Sequence, residues 1–245
     1  MLYLIGTGLY YLNDLPLRAI DELKDCDEIL LERYTNLNDI EFLEKLEKDI
    51  GKKIEIVGRE VVESDSILEK ATKEKLAVLI PGDPLAATTH FSLIQECKNR
   101  GITTKILHSS SIFSAVGEIG LSLYKFGGTT SIPLYSEHFH PESFFEVIEK
   151  NIECGYHSLV LLEVRSKDEF VEPYKAVEIL KEIERKKGMK IIEWENVIAI
   201  SKMGSDSQKI VKVGNAEVKT LKPPCSLIIP SKLNENEKEA LKLIN

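Results

Sequence analysis

Cysteine, tryptophan and basic clusters are scarce in this chain, and each shortage excludes something. The four cysteines, Cys26, Cys97, Cys154 and Cys225, are far apart in the 245 residues, and none forms a C-x-x-C. That spacing argues against a zinc site or a disulfide framework and predicts buried free thiols in a reducing compartment. No block of five or more Lys/Arg occurs, and 32 basic against 40 acidic residues leave a formal charge of −8. A nucleic-acid binder needs a basic patch to displace counterions from phosphate, so no nucleic-acid partner is expected. No apolar run approaches the roughly 18 residues of a membrane span. The opening residues carry neither the positive flank nor the small-residue cleavage site of a signal peptide, so the expected compartment is the cytoplasm. The single tryptophan, Trp194, is expected to pack between sheet and helix.

What is present is the composition of an ordinary globular protein, 43% hydrophobic and 29% charged. Short β-branched runs alternate with amphipathic stretches. Strands are predicted at 2–5, 28–32, 53–57, 76–80 and 104–107, with helices from about residue 16, over 39–50 and over 88–100. This alternation predicts a mostly parallel sheet with helices on both faces. The continuous apolar run 76–80 is its expected central strand. In the second half, helices are predicted at 111–119, 142–154 and 174–187, and strands at 130–133, 157–164, 191–201, 209–213 and 226–229. The late strands follow one another without helices between them, which predicts a mixed sheet with antiparallel pairs. The expected fold class is α/β, with domains 1–108 and 109–245 and a cleft between them.

Three loops carry the chemistry. Gly6-Thr7-Gly8 follows the first strand. A dinucleotide fingerprint would need a third glycine where Tyr11 stands, so Glu32, at the end of the second strand where a ribose-binding acid would sit, is weak support for a nicotinamide enzyme. Pro81-Gly82-Asp83-Pro84 closes the central strand at its carboxyl end, where open α/β sheets place ligands. Two prolines stiffen that turn, and Asp83 projects from it. Ser109-Ser110-Ser111 opens a helix, either as capping residues or as hydroxyl and N–H donors to a ligand. His138-Phe139-His140 has metal-like spacing, but without a third ligand a loop role is favoured.

Together these loops resemble the tetrapyrrole methylase superfamily, two-domain α/β enzymes that bind S-adenosylmethionine in a cleft. Segments 2–9, 81–90, 111–117, 123–127, 141–145 and 208–210 carry the resemblance over almost the whole length. The runs Ala87-Thr88-Thr89-His90 and Tyr124-Lys125-Phe126-Gly127 are similar to the branch that acts in diphthamide biosynthesis rather than to the cobalamin and sirohaem enzymes. The resemblance implies methyl transfer from S-adenosylmethionine, leaving S-adenosylhomocysteine, to the amine of a 3-amino-3-carboxypropyl-histidine on elongation factor 2. It also implies a homodimer. The short, Lys/Glu-rich chain resembles the archaeal, trimethylating form.

By motif position, the resemblance implies cofactor contacts at Leu9, Asp83, Ala86, Ser111, Ile112, Leu162, Met203 and Cys225. Cys225 stands where the family usually has His, and Met203 where it has a smaller residue. Methyl transfer from a sulfonium requires orientation but neither a metal nor a covalent intermediate. Asp83, His90, His108, Glu118 and Glu163 lie near the motifs as possible proton acceptors, and no catalytic residue is assigned. Two other readings stay open. A methylase acting on a corrin or sirohaem precursor would bind a small acidic macrocycle. A non-catalytic binding module would bind no S-adenosylmethionine.

Overall fold

A computed structural model describes residues 1–33, 43–166 and 168–244. The start of the helix expected over 39–50, with Asp39 and Ile40, lies outside the described residues. The chain divides into two units, Met1–Ile112 and Phe113–Asn245.

The first unit is built on the strands β1 (Leu2–Gly6), β2 (Glu28–Glu32), β3 (Glu55–Val57), β4 (Leu76–Ile80) and β5 (Thr104–Leu107). They form a parallel sheet in the order β3-β2-β4-β1-β5, so the run 76–80 is central. Alternate residues of each strand enter opposite layers, as the two-residue period requires. Tyr3, Ile5, Ile29, Leu31, Ala77 and Leu79 meet α1 (Leu17–Asp25) and α2 (Leu43–Ile50). Leu2, Leu4, Leu30, Leu76, Val78 and Ile80 meet α3 (Arg59–Val62), α4 (Asp65–Lys73) and α5 (Phe91–Asn99). The chain therefore leaves β1 toward one face and β4 toward the other. The carboxyl ends of these neighbouring strands are therefore the switch point at which open α/β sheets place ligands.

The short helix α6 (Ile112–Ala115) leads from the first unit to the second. The second unit holds α7 (Ser143–Glu153), α8 (Pro173–Lys187) and the strands β6 (Thr130–Ile132), β7 (Ser158–Leu162), β8 (Ile198–Ser201), β9 (Lys209–Lys212) and β10 (Cys225–Ile229). The sheet order is β6-β7-β10-β8-β9; only β6 and β7 are parallel. Phe144, Phe145 and Ile148 of α7 and Ala176, Leu180 and Ile183 of α8 pack with Val160, Ala199, Leu227 and Ile229 of the sheet.

Several details differ from expectation, each for a local reason. The strand expected over 191–201 shrinks to Ile198–Ser201, because buried Glu184 takes the backbone donors that a strand would use. Its carboxylate accepts the N–H groups of Ile191 (2.8 Å) and Ile192 (3.0 Å) and the Trp194 indole N–H (2.9 Å). Trp194 thus sits against α8, with the Lys181 ammonium 4.9 Å from its ring. The helix expected over 111–119 is α-helical only to Ala115, then tightens to a 3-10 turn, Val116–Ile119. Helices α3, α4 and the C-terminal α9 (Glu235–Lys242) had no sequence expectation. Cys26, Cys97 and Cys225 are buried free thiols, but Cys154, just past α7, is exposed. Among the described residues, no helix is long and apolar enough to cross a membrane, and no group of three or more His, Cys, Asp or Glu could hold a metal.

Helix α9 is tied down by a buried polar cluster. Glu237 is both the reciprocal partner of the Asn234 cap and the acceptor for Lys125 Nζ (2.5 Å) and the Ser122 N–H (3.2 Å). His157 Nδ1 accepts the Ser231 N–H (3.0 Å), so its proton sits on Nε2, which donates to Glu237 (3.1 Å). Burial pushes the Glu237 carboxyl up, but its hydrogen bonds to Lys125, the Asn234 N–H, His157 and the Ser122 N–H outweigh this and hold it at about 2. Burial pushes the His157 imidazole below its usual 6.5, against the partial opposition of Glu237.

Both shifts make acid destabilising. A group that folds as neutral imidazole loses stability as pH falls below 6.5, and a depressed carboxyl loses it as pH falls from 4.5 toward 2. The carboxyl shift corresponds to about 3 kcal/mol. Urea unfolding followed by Trp194 fluorescence is expected to show stability declining below pH 6.5 and again below 4.5, with the second decline made shallower in Glu237→Gln. An acid limb unchanged in that variant contradicts the assignment.

Candidate active site

The three sequence loops meet at the carboxyl edge of the first sheet. Beyond β1 and β4, Gly8 and Gly82 pair across the strand ends: the Gly8 N–H donates to the Gly82 carbonyl (3.1 Å) and the Gly82 N–H to the Gly8 carbonyl (2.9 Å). Gly8 and Gly82 take φ of +75° and +71°, a region that glycine enters without steric cost. Gly6 is needed for close approach: a Cβ there would stand 2.5 Å from the Gly82 oxygen and 2.9 Å from Ser109 Cβ.

Two carboxylates bind the third loop to this pair. Asp83 Oδ1 accepts the Leu85 N–H (3.0 Å), while Oδ2 accepts His108 Nδ1–H (2.8 Å) and the Ser109 N–H (3.2 Å). Asp14 Oδ2 accepts the N–H groups of Leu9 (3.1 Å) and Tyr10 (2.9 Å) and the Ser110 hydroxyl (3.1 Å). Ser110 Oγ also accepts the Leu9 N–H (3.1 Å), and the Ser109 hydroxyl donates to the Asp14 carbonyl (3.1 Å). The serines therefore link loops instead of only opening a helix. Asp14 had no sequence expectation; its one signal is a polar pair, Asn13-Asp14, two residues before Pro16 in an apolar stretch.

The far side of the proline turn is anchored by His90. Its Nδ1–H donates to the Pro84 carbonyl (3.2 Å), and Nε2 lies 2.8 Å from Glu32 Oε2. His90 is 2% exposed and Glu32 0%. A buried pair with this geometry holds the turn against β2, and removing one partner of such a pair typically costs about 3–5 kcal/mol. Glu32 is thereby unavailable to a ribose, and His90 is sequestered from a reacting group.

The predicted residues fall into two groups, one in each unit. Leu9, Asp83, Ala86, Ser111 and Ile112 lie in the three loops of the first unit and are half-buried. In the second unit, Leu162 ends β7, Cys225 starts β10 and Met203 lies in the turn after β8, all three buried. Ser226 faces Leu161 and Cys225 faces Ser201 across the sheet, and the Lys202 N–H donates to the Pro224 carbonyl (2.9 Å), so the three sit together at one sheet end. The Cys225 thiol donates to the Lys222 carbonyl (3.1 Å), and burial pushes it up to about 12, so it is no thiolate nucleophile. Of the remaining proton-acceptor candidates, Glu163 accepts the Leu134 N–H (2.7 Å) and Arg165 Nε–H (2.9 Å), and Glu118 accepts Gln208 Nε2–H (2.6 Å). His108 is exposed, at 65%.

This architecture, with glycine, proline-turn and serine loops at the edge of a parallel sheet and a mixed sheet following, is that of a methylase. The family model of the tetrapyrrole (corrin/porphyrin) methylases matches residues 1–218, and the chain belongs to that family. Within it, the chain is similar to diphthine-forming enzymes. It is 37% identical to diphthine synthase of Methanocaldococcus jannaschii, over 100% of this chain and 98% of that one. It is 38% identical to diphthine methyl ester synthase of Saccharomyces cerevisiae, over 85% of this chain and 76% of the relative. A crystal structure named as a candidate diphthine synthase, from Entamoeba histolytica, superposes with a TM-score of 0.85 at 33% identity, covering 100% of this chain and 98% of that one.

Gly8 and Gly51 offer an internal comparison. Both have positive φ, but a Cβ at Gly51 meets nothing within 4 Å, whereas one at Gly8 overlaps Asp14 Cβ. Gly51→Ala is expected to cost about 1–2 kcal/mol, the left-handed penalty alone. Gly8→Ala is expected to cost about 2 kcal/mol more, from overpacking. Urea titrations of the two variants check this, and equal costs would contradict the loop packing.

Proposed function

We propose that the chain is a cytoplasmic diphthine synthase of the archaeal type, acting as a homodimer on elongation factor 2. In this reading it trimethylates the amino group of the 3-amino-3-carboxypropyl-histidine. The observation that carries the reading is the interlock of Gly8, Gly82, Asp14 and Asp83 at the carboxyl edge of the first sheet. It is supported by the family and by diphthine synthase relatives that match end to end.

We assign the contacts of S-adenosylmethionine to Leu9, Asp83, Ala86, Ser111 and Ile112 in the first unit, and to Leu162, Met203 and Cys225 in the second. The residues present fit such a ligand. A Cβ at Gly82 would meet only the Ser110 carbonyl, at 3.9 Å, so the turn has an open side beside carbonyl acceptors. Asp83 acts chiefly through the loops it ties, because three donors already occupy its oxygens. Leu9 and Ala86 supply backbone and apolar contact. Cys225 offers a backbone contact where the family has a His side chain. When bound, the cofactor supplies a sulfonium methyl; each transfer forms an N–C bond, breaks an S–C bond and releases one proton from the substrate ammonium. The chain contributes alignment, which in well-oriented systems is worth up to about 7–11 kcal/mol.

Mass spectrometry of modified elongation factor 2 after incubation with enzyme and S-adenosylmethionine tests this directly. A gain of about 42 mass units, three CH₂ equivalents of about 14, is expected. A gain of about 56 would assign the fourth, ester-forming methyl, and methylation of a corrin or sirohaem precursor alone would overturn the substrate. Calorimetry on Asp83→Ala is expected to give a roughly tenfold weaker Kd for S-adenosylhomocysteine with the fold intact. Unchanged affinity removes Asp83 from the site.

A further inference from the structure

The turn that carries Met203 is held by residues outside the cofactor set. It leaves β8 at Ser201, and Lys202 takes φ +51°, which side chains other than glycine seldom adopt. The Ser205 N–H (3.1 Å) and hydroxyl (2.8 Å) both donate to the Lys202 carbonyl, so the turn closes on itself. Next to Met203, the Gly204 N–H donates to Gln208 Oε1 at 2.6 Å. Gln208 Nε2 in turn donates to Glu118 Oε1 at 2.6 Å. The two ends of this chain dictate its direction. A backbone N–H can only donate and a carboxylate can only accept, so one orientation of the Gln208 amide satisfies both.

We infer that Gln208 and Glu118 are positioning residues that fix the 202–205 turn and thereby set Met203 for cofactor binding. This rests on the proposed reading that Met203 contacts S-adenosylmethionine. Neither residue touches the reacting atoms. Glu118 lies near the motifs as a candidate base, but its place in this hydrogen-bonded chain gives it a different role, since it holds an amide whose other end holds a backbone. Gln208 also explains why Gln208-Lys209-Ile210, a segment without obvious chemistry, accompanies the ligand loops in the family resemblance.

The direction of the chain makes a donor–acceptor exchange the decisive experiment. Gln208→Glu keeps an acceptor for Gly204 but sets two carboxylates against each other. Glu118→Gln keeps a carbonyl that can still accept, though more weakly. The double variant Glu118→Gln/Gln208→Glu restores one donor and one acceptor with the roles exchanged. Calorimetric Kd for S-adenosylhomocysteine, with KM and kcat for S-adenosylmethionine, is read on all three. The expected rises in Kd and KM are roughly tenfold for Gln208→Glu and about threefold for Glu118→Gln, with recovery to within about twofold in the double variant and kcat at saturation little changed. Gln208→Met, which removes both hydrogen bonds without adding charge, serves if Gln208→Glu does not fold, and it is expected to weaken binding in the same direction.

The outcomes separate cleanly. Unchanged affinity in folded Gln208 variants overturns the inference, as does a double variant no better than Gln208→Glu. Melting temperatures that fall while Kd and KM stay fixed would mark a merely structural role and also overturn it. A wild-type chain that binds no S-adenosylhomocysteine overturns the functional reading itself, and this inference with it.

Discussion

Two hydrogen bonds between Gly8 and Gly82 are the constraint from which the first unit's site follows. They are possible because both glycines accept left-handed backbone and because Gly6 carries no Cβ to strike the Gly82 carbonyl. Without them the loops that follow the paired strands β1 and β4 would simply part toward opposite faces. Pinned together, the loops present a rigid edge to which Asp14 and Asp83 fasten the serine loop. The polar groups satisfied there are mostly backbone N–H groups, which are costly to leave unpaired when water is excluded. An edge whose polar groups are satisfied internally needs no ligand to hold its shape, which suits an enzyme that relies on alignment.

The second unit solves a related problem with buried charge. Glu184 and Glu237 are each almost fully buried, and each is surrounded by donors from several segments. Glu184 replaces strand hydrogen bonds near Trp194, and Glu237 fastens the last helix to the start of β7. Such groups add little net stability compared with an apolar core, but leaving one partner unpaired is expensive. They specify where irregular segments lie. Met203 and Cys225 occupy turns and strand ends of this kind, while Leu162 ends the strand between them and β6.

Much of the fold was legible because hydrophobic periodicity is a local signal. The β-α alternation of the first half, the central run 76–80 and the antiparallel late strands all followed from spacing alone. What was not legible depends on contacts distant in sequence. Nothing near residues 191–197 announces that Glu184 will take their N–H groups, so an apolar stretch reads as a strand. Likewise, Glu32 resembles a ribose acid until His90, far along the chain, is found against it. Among the candidate site residues, Gly82 and Asp83 were legible from turn chemistry, and Leu9, Leu162 and Met203 only through family resemblance. Asp14 carried only the weak signal of the Asn13-Asp14 pair, and Gln208 only its place in a segment of the family resemblance, because their roles are defined by backbone groups that only the folded chain brings within reach.

Hydrogen exchange of the loop amides, with and without S-adenosylhomocysteine, addresses the preformed edge most directly. The N–H groups of Thr7, Gly8 and Gly82 are bonded to Ile80, Gly82 and Gly8 respectively, and they should exchange as slowly as the core of the first sheet before ligand is added. Ligand should then slow exchange further in segments 9–14, 83–90 and 108–112. Fast exchange of those three amides in the free protein, or protection confined to other segments on adding ligand, would contradict the account.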